Sequence, residues 1–266
     1  MNSVANGKVR ENTPFREVYI QPAAADSGTA LGAAYQVWNQ VLKQPRRFVM
    51  MHGYWGTTYV DANSRVVLDG RADSEWRYTR EQLSENDLLE QTARLIADGN
   101  VVGWYQGRME WGARALGNRS ILADARRGDM RELINTKIKF REKFRPFAPS
   151  ILEEAMDDYF VGAARDPFMQ QVYPVRPEKR DVLPAITHVD GSGRLQTVNR
   201  ESNPRYYGLI EAFARITGVP VLLNTSFNEN EPIVDTPEQA LDCFFRTRMD
   251  AIVVHDTLVR RYPCTQ

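Results

Sequence analysis

Short apolar runs bounded by turn residues constrain the fold of this chain more than any other sequence feature. The runs NVVGWYQG (100–107), VPVLLNTS (219–226) and DAIVVHD (250–256) have the length and composition of buried strands. Amphipathic helices are predicted around them, such as RYYGLIEAFARITG (205–218), which ends at a glycine. Helices and strands mix without strict alternation. The pattern therefore predicts an α/β domain with a mixed, twisted sheet flanked by helices.

The pattern also divides the chain into three segments. Residues 1–45 contain one predicted helix, which starts at about Ser27. Residues 46–79 lack a sustained period and are rich in Gly, Asp and Arg, so they are predicted to be a linker. Regular patterning resumes at residue 80, and 80–266 is predicted to be one domain. Within it, AITHVD (185–190) has the character of a further strand.

Composition excludes several classes of function. The chain carries 34 Lys and Arg against 34 Asp and Glu, so its net charge attracts neither nucleic acid nor a membrane surface. No apolar run approaches the roughly 18–20 residues of a membrane span, and the N-terminus lacks the apolar stretch of a signal peptide. Cys243 and Cys264 form neither a metal-ligand spacing nor a disulfide framework. A cytoplasmic protein is expected.

Positive charge is concentrated between residues 108 and 145. This segment holds eleven Lys and Arg but only five Asp and Glu. A solvated basic face is one explanation, and an anion-binding site is the other. The arginines are interleaved with glycine and small residues rather than with glutamates at helical spacing, which favours the anion site.

The first candidate motif spans 106–120 and follows a predicted strand. Its three glycines let backbone N–H groups approach a ligand, and Arg108, Arg114 and Arg119 carry forked donors that suit phosphate oxygens. The spacing fits neither a P-loop nor a dinucleotide fingerprint. A glycine-rich turn with exposed arginines is the alternative.

The second motif, 139–150, lies where a predicted helix ends at prolines. Its cations alternate with aromatic rings, and alternation would turn the cations to one side and the rings into the core. A basic surface strand is the alternative. The alternating residues are Lys139, Phe140, Arg141, Lys143, Phe144, Arg145 and Phe147.

Two further motifs carry polar side chains. In 188–197 the pair Asp190-Gly191 predicts a turn that presents Arg194, whereas a lone histidine such as His188 is more often structural. In 223–228 Asn224, Ser226 and Asn228 follow a buried strand, where α/β sheets commonly bind ligands, although simple turn chemistry explains them equally well.

Together these motifs resemble the C-terminal part of the O-carbamoyltransferases that modify Nod factors, cephamycins, ansamycins and aminoglycosides. The resemblance rests on GRMEWGARALGNRSILAD, IKFREKFRPFAPS, HVDGSGRLQTV and LNTSFNENEPIV. It implies a YrdC-like fold over 80–266, preceded by the tail of an actin-like domain. In that family the YrdC-like part uses ATP and carbamoyl phosphate to make carbamoyl-adenylate and pyrophosphate.

The resemblance also implies roles for particular residues. Lys139, Arg114 and Arg194 are expected to be catalytic and to meet near Ser226. Carbamate attack on an α-phosphate brings two anions together, and cations are needed to neutralise them. ATP would bring Mg²⁺. The residues expected to bind substrate are Arg108, Arg119, Arg141, Arg145, Ser226, Asn228 and Asn224.

The N-terminal segment resembles the last stretch of the actin-like part. Asp26 matches its metal-ligand aspartate, although capping of the following helix explains Asp26 equally well. The family's paired histidines, which help to hold iron, have no match here, because His52, His188 and His255 form no close pair. A C-terminal fragment or one half of a split enzyme is therefore expected, with an actin-like partner half completing transfer to a small-molecule hydroxyl acceptor.

Two other classes of function stay open. A basic YrdC-like surface over 108–145 would suit RNA, but nucleic acid is not the expected partner, because the aromatic residues are predicted to be core spacers. A non-catalytic subunit that scaffolds a partner through residues 1–43 is the third possibility.

Overall fold

The computed structural model describes residues 2–59 and 76–263. Ten strands occur in these ranges: β1 (Trp76–Gln82), β2 (Val102–Tyr105), β3 (Arg119–Asp124), β4 (Ala148–Leu152), β5 (Val172–Pro174), β6 (Ser192–Arg194), β7 (Gln196–Val198), β8 (Val221–Ser226), β9 (Ala251–Val254) and β10 (Thr257–Pro263). Seven α-helices accompany them: α1 (Ser3–Asn12), α2 (Asp26–Gln36), α3 (Glu85–Ala97), α4 (Met130–Lys137), α5 (Met156–Tyr159), α6 (Pro204–Thr217) and α7 (Pro237–Arg246). Helix α2 continues as a π-helix over Val37–Val41, and short 3₁₀ turns occupy Glu153–Ala155 and Pro177–Lys179.

Eight of the strands form one sheet in the order β1-β10-β9-β2-β3-β8-β4-β7, and β5 pairs with β6 in a separate ribbon. The pairs β2–β9 and β4–β7 are parallel, and the others are antiparallel. The predicted α/β fold with a mixed sheet flanked by helices is therefore confirmed.

Side-chain alternation along the central strands gives the sheet two buried faces. In β3, Leu122 joins the core under helices α3 and α6, whereas Ile121 and Ala123 join the opposite core. In β8, Leu222 takes the first face and Leu223 the second. A sheet that is covered on both sides requires apolar strands throughout, which is why its strands appear as continuous apolar runs in the sequence.

The helices that cover the sheet have sharply defined ends. Thr236 and Gln239 form a complete capping box at the start of α7, with Pro237 at its first turn. Asn203 caps α6 by accepting from Tyr206 N at 3.0 Å, and Gly218 ends that helix in the left-handed conformation at φ 75°. Each side-chain cap contributes about 1 kcal/mol.

Three predictions about local structure are wrong. Residues 1–45 contain two α-helices rather than the one predicted, because α1 (Ser3–Asn12) is too polar to show an apolar stripe in the sequence. Residues 76–79, which were predicted to be linker, belong to β1 and pair with β10, because an edge strand can be polar on its open side. AITHVD (185–190) is not a strand. It lies in consecutive turns, where Thr187 N donates to Leu183 O at 3.1 Å. The rest of the three-segment division stays a prediction.

The N-terminal segment packs against the ribbon and the β2–β3 loop. Asn6 Nδ2 donates to Gln170 O, and Gln170 Nε2 donates to Gln21 O, both at 2.9 Å. A Cβ on Gly7 would lie 2.7 Å from Val172 O, so helix α1 approaches β5 as closely as glycine allows. In the described ranges, no helix is long and apolar enough to cross a membrane.

Candidate functional site

A cavity of about 600 Å³ lies between the segment that follows α4 and the end of β8. This volume is typical of small-molecule sites. Lys139, Arg141 and Arg145 supply positive charge, opposite Ser226 and Asn228 at the carboxyl end of the strand. The remaining lining residues are Phe140, Glu142, Glu229 and Asn230. The predicted second and fourth motifs therefore meet at one cavity.

Lys139 is the buried cation of this cavity, with 2% of its surface exposed. Its Nζ donates to Ser226 O at 2.5 Å, to Asn228 O at 2.7 Å and to Asn228 Oδ1 at 2.6 Å, and it lies 3.3 Å from Ser226 Oγ. All four acceptors are neutral oxygens. In the described part of the chain, Lys139 has no carboxylate within ion-pair distance.

This environment lowers the pKa of the Lys139 amine. Burial and, to a smaller extent, the neighbouring charge of Arg141 together lower the pKa of Lys139 to about 7. The oxygen acceptors favour the ammonium form and oppose that fall. An anion in the cavity would stabilise the same charge, so the site favours binding of phosphate oxygens.

The backbone after α4 sets which side chains enter the cavity. Lys139 N donates to Ile134 O at 2.9 Å and Arg141 N donates to Asn135 O at 3.0 Å, so the chain turns sharply at Phe140, whose φ is 44°. The prediction that the rings enter the core is wrong for Phe140, which is 58% exposed, and for Phe144, which is 74% exposed. The left-handed residue breaks the alternation and turns Lys139 inward instead.

Arg141 and Arg145 stand beside Lys139 at the cavity. Arg141 Nε donates to Asn135 Oδ1 at 2.7 Å, and its guanidinium lies 5.0 Å from the centre of the buried ring of Phe147. Arg145 pairs with Glu142 at 2.8 Å, and both side chains are about half exposed. Arg141 is therefore fixed in place, whereas Arg145 is free to reorient toward a ligand.

A second group of charges adjoins the first. Burial lowers the pKa of the Arg194 guanidinium, and the charges of Arg114 and Arg141 lower it further, so these three residues are electrostatic neighbours. Arg194 Nε is buried and has no hydrogen-bond partner among residues 2–59 and 76–263. A guanidinium stays charged at neutral pH, so this buried charge favours an anion nearby.

The expected convergence near Ser226 is only partly present. Arg141 adjoins both Lys139 and Arg194 electrostatically. Arg114, however, lines a smaller cavity beside the N-terminal segment, with Ala23 and Phe168. The catalytic roles of Lys139, Arg114 and Arg194 stay predictions.

Asp166 is a buried residue that the sequence analysis missed. Its carboxylate accepts backbone N–H groups from Phe168, Gln170 and Gln171 at 2.9–3.3 Å. Burial raises its pKa to about 6, and its charge partly offsets those of Arg114 and Arg194. An Asp that accepts from the residue two positions on is a common turn signal, but nothing in the sequence connects it to the distant arginines.

Arg119 has a different role from the predicted one. It is 7% exposed, its Nε donates to Glu110 Oε2 at 2.8 Å and its Nη2 donates to Glu110 O at 2.6 Å. Glu110 Oε1 also accepts Leu116 N at 2.7 Å and Asn118 N at 2.9 Å. The pair holds the loop between β2 and β3 in shape, which favours a structural role for Arg119 over the predicted substrate contact.

Arg108 is likewise engaged away from the cavity. Its Nε donates to Gly56 O at 2.9 Å and its Nη2 donates to Trp55 O at 3.2 Å. The guanidinium also lies 5.5 Å from the centre of the Trp55 ring. These contacts attach residues 55–56 to the β2–β3 loop, so the structure favours a positioning role over the predicted substrate contact.

Asn224 is fully buried within the sheet. Its Nδ2 donates to Ser150 Oγ and Gln196 Oε1, both at 3.0 Å, and to Ala115 O at 3.2 Å. This network joins β8 to β4 and β7 below the candidate site. Asn224 is therefore placed to support the fold, whereas Ser226 and Asn228, farther along the strand, reach the cavity.

The metal predictions remain open. Asp26 begins α2, and its side chain lies outside the described part of the structure. Among the side chains that are described, no three of the types His, Cys, Asp and Glu come together as metal ligands. These residues therefore do not form a site for Mg²⁺ or iron by themselves.

The fold defines the class of protein as an α/β domain with a mixed sheet. Residues 93–261 match the family described as Carbamoyltransferase C-terminus, and residues 1–35 match Carbamoyltransferase N-terminus. The chain belongs to the carbamoyltransferase family, and the resemblance seen in the motifs is confirmed.

Several curated proteins are similar over nearly the whole chain. Nodulation protein NolNO of Sinorhizobium fredii is 44% identical over 98% of this chain and 38% of its own length. Nodulation protein NolO of Bradyrhizobium diazoefficiens is 43% identical over 99% of this chain and 48% of its own length. Nodulation protein U of Rhizobium tropici is 35% identical over 86% of this chain and 37% of its own length. The chain thus spans less than half the length of these relatives.

Solved structures give more distant matches. Full-length HypF in its phosphate- and nucleotide-bound form matches with a TM-score of 0.45 and 15% identity, over 71% of this chain and 23% of that one. P. abyssi Sua5 complexed with L-threonine matches with a TM-score of 0.46 and 14% identity, over 66% of this chain and 48% of that one.

Proposed function

We propose that this chain is a carbamoyltransferase module that binds ATP and carbamoyl phosphate and forms carbamoyl-adenylate for transfer to a hydroxyl of a small-molecule or sugar acceptor. The observation that carries the proposal is Lys139. A buried ammonium on neutral oxygens, beside Arg141 in a cavity of ligand size, is arranged for a bound anion rather than for a protein carboxylate. The cytoplasm is the proposed location, and membership of the family supports the reaction class.

The proposed reaction balances without a redox step. Hydrolysis of carbamoyl phosphate releases carbamate and phosphate. A carbamate oxygen then attacks the α-phosphorus of ATP, and the bond from that phosphorus to the pyrophosphate oxygen breaks. Lys139 and Arg141 neutralise the reacting phosphate oxygens, and Arg194, buried with an unpartnered Nε among the described residues, holds the second anion.

Pyrophosphate exchange into ATP tests this proposal directly. Exchange should require carbamoyl phosphate, and Lys139→Ala should lower its rate about a hundredfold, as expected for the loss of about 2–4 kcal/mol of electrostatic stabilisation. Lys143→Ala is the matched control, because Lys143 lies in the same segment but is exposed and paired with Glu132. Full exchange by a folded Lys139→Ala protein would defeat the role of Lys139 on which the proposal rests, whereas no exchange by the folded wild type would favour a non-catalytic scaffold.

Transfer to the acceptor is proposed to need an actin-like partner half, which would also supply the iron ligands. The exposed apolar side chains after α2 support this proposal. Val37, Trp38, Val41 and Leu42 are each about half exposed or more. Residues 1–35, just before these side chains, match the family described as Carbamoyltransferase N-terminus. Trp38→Ser should abolish association with an actin-like half and leave pyrophosphate exchange unchanged, and retained association would contradict the proposed interface.

RNA is a second candidate ligand, and one observation favours it. Nucleic acid was not the expected partner because the aromatic residues were predicted to be core spacers, but Phe140 and Phe144 are exposed among cations. Exposed rings and positive charge suit single-stranded nucleic acid. RNA binding that weakens steeply with salt and is competed by neither ATP nor carbamoyl phosphate would favour this function over adenylate formation.

A further inference from the structure

Phe140 is unfavourable for local stability on two counts. Its φ of 44° lies in the left-handed region, which bulky side chains rarely adopt, and its ring is 58% exposed. Asparagine or glycine would fit this backbone with less strain. Strained residues of this kind concentrate at functional sites, so the position of the ring needs a functional explanation.

Phe140 lines the cavity of Lys139. Among the described residues that line this cavity, Phe140 is the only aromatic one, and the others are charged or polar. Phosphate oxygens can bind to the polar lining residues Lys139, Arg141, Ser226 and Asn228. A phosphate group alone, however, makes no favourable contact with a flat apolar ring. A ligand that carries both phosphates and a planar ring matches the whole lining.

We propose that Phe140 is a nucleobase-stacking residue, which covers one face of the base of the nucleotide whose phosphates bind at Lys139 and Arg141. This inference rests on the proposed binding of ATP and assigns the part of the cavity that receives the base. The backbone turn that buries Lys139 also presents the ring, so one local conformation builds the phosphate end and the base end of the site. Stacking accepts any base, so Phe140 contributes affinity rather than a choice between purines.

Removal of the ring tests the stacking contact. Phe140→Leu should weaken ATP binding about tenfold, which corresponds to about 1.4 kcal/mol, and should leave the binding of inorganic tripolyphosphate unchanged. Phe140→Trp should retain ATP affinity and show fluorescence quenching on binding. Phe144→Leu is the matched control, because its ring is exposed in the same segment but does not line the cavity. Both affinities can be measured by isothermal titration calorimetry on the full chain.

A second variant separates a ligand role from a purely conformational one. Phe140→Asn suits the left-handed backbone, so it should be at least as stable as the wild type in urea while binding ATP more weakly. Unchanged ATP affinity in Phe140→Leu, or equal losses for ATP and tripolyphosphate, would overturn the stacking role. So would loss of single-stranded RNA binding with ATP binding intact.

These measurements distinguish failure of the stacking role from failure of the proposed function on which it rests. If the wild type binds ATP, loses that binding in Lys139→Met and keeps it in Phe140→Leu, only the stacking role fails. If the wild type binds neither ATP nor tripolyphosphate, the proposed function fails and the stacking role fails with it.

Discussion

Replacement of Lys139 by methionine should abolish anion binding without weakening the fold. Met preserves most of the buried stem and removes the amine, which is 2% exposed and bonded only to neutral oxygens among the described residues. Ser226 and Asn228 are only half-buried and line the open cavity, so water can replace the lost donor. The variant therefore leaves few unsatisfied acceptors.

The lowered pKa of Lys139 gives the size and sign of the expected stability difference between Lys139→Met and the wild type. A fall from 10.5 in the unfolded chain to about 7 in the folded one corresponds to at most about 5 kcal/mol. Below pH 7 both states are protonated, so the full destabilisation is present. Between pH 7 and 10.5 the folded state releases its proton first, so the wild type gains stability as the pH rises. The advantage of Lys139→Met should therefore be largest near pH 6.5 and shrink by pH 9.

Urea denaturation at several pH values measures this difference. We expect Lys139→Met to equal or exceed the wild type by up to a few kcal/mol at pH 6.5, whereas Lys143→Met, at an exposed ion pair, should change stability by less than about 1 kcal/mol at every pH. A Lys139→Met protein that is several kcal/mol less stable at all pH values would refute the reasoning, because it would show that the amine is a net stabiliser. ATP binding near pH 7.5 should also take up a proton, visible as calorimetric heats that depend on the buffer.

Two further predictions concern the loop between β2 and β3. Glu110→Gln should lower the free energy of unfolding by about 3–5 kcal/mol in urea, because it leaves Arg119 buried without its counter-charge; a loss below 1 kcal/mol would contradict the structural role of the pair. Gly117→Ala should cost about 2–4 kcal/mol, because Gly117 has φ 105° and its Cβ would lie 2.2 Å from the ring of Tyr206. Gly162→Ala, at φ 61° in open space, is the control and should cost only about 1 kcal/mol.

The fold was largely predictable because its strands are buried on both faces. Continuous apolar runs identified β2, β8 and β9, and Gly218 marked the end of α6. The polar edge strand β1 was missed, since it lacks that signal and depends on its pairing with β10. AITHVD was predicted to be a strand because turns that are held by backbone bonds leave no pattern in an apolar segment.

The chemistry of the site was predictable, but the orientation of its side chains was not. The charge excess and the second and fourth motifs pointed to residues that line the cavity, among them Lys139, Ser226 and Asn228. The alternation of cations and rings predicted that the rings enter the core, but that prediction assumes an extended chain. The chain is not extended at Phe140, whose backbone is left-handed. The count of charges could not distinguish Arg119, which forms an ion pair with Glu110, from the cations that line the cavity.

The distribution of carboxylates explains how a neutral protein keeps a positive cavity. The Glu110 carboxylate pairs with Arg119 and accepts three backbone N–H groups, and the Asp166 carboxylate accepts backbone N–H groups of its own loop. Neither cancels the charge at Lys139, whose described acceptors are all neutral. Nearby acids offset the repulsion between these cations only in part: Glu231 acts on Lys139 and Asp166 acts on Arg194, whereas Arg141 lowers the pKa of both. A site of this kind is least stable when empty, so ligand binding should stabilise the folded chain in proportion to the logarithm of ligand concentration.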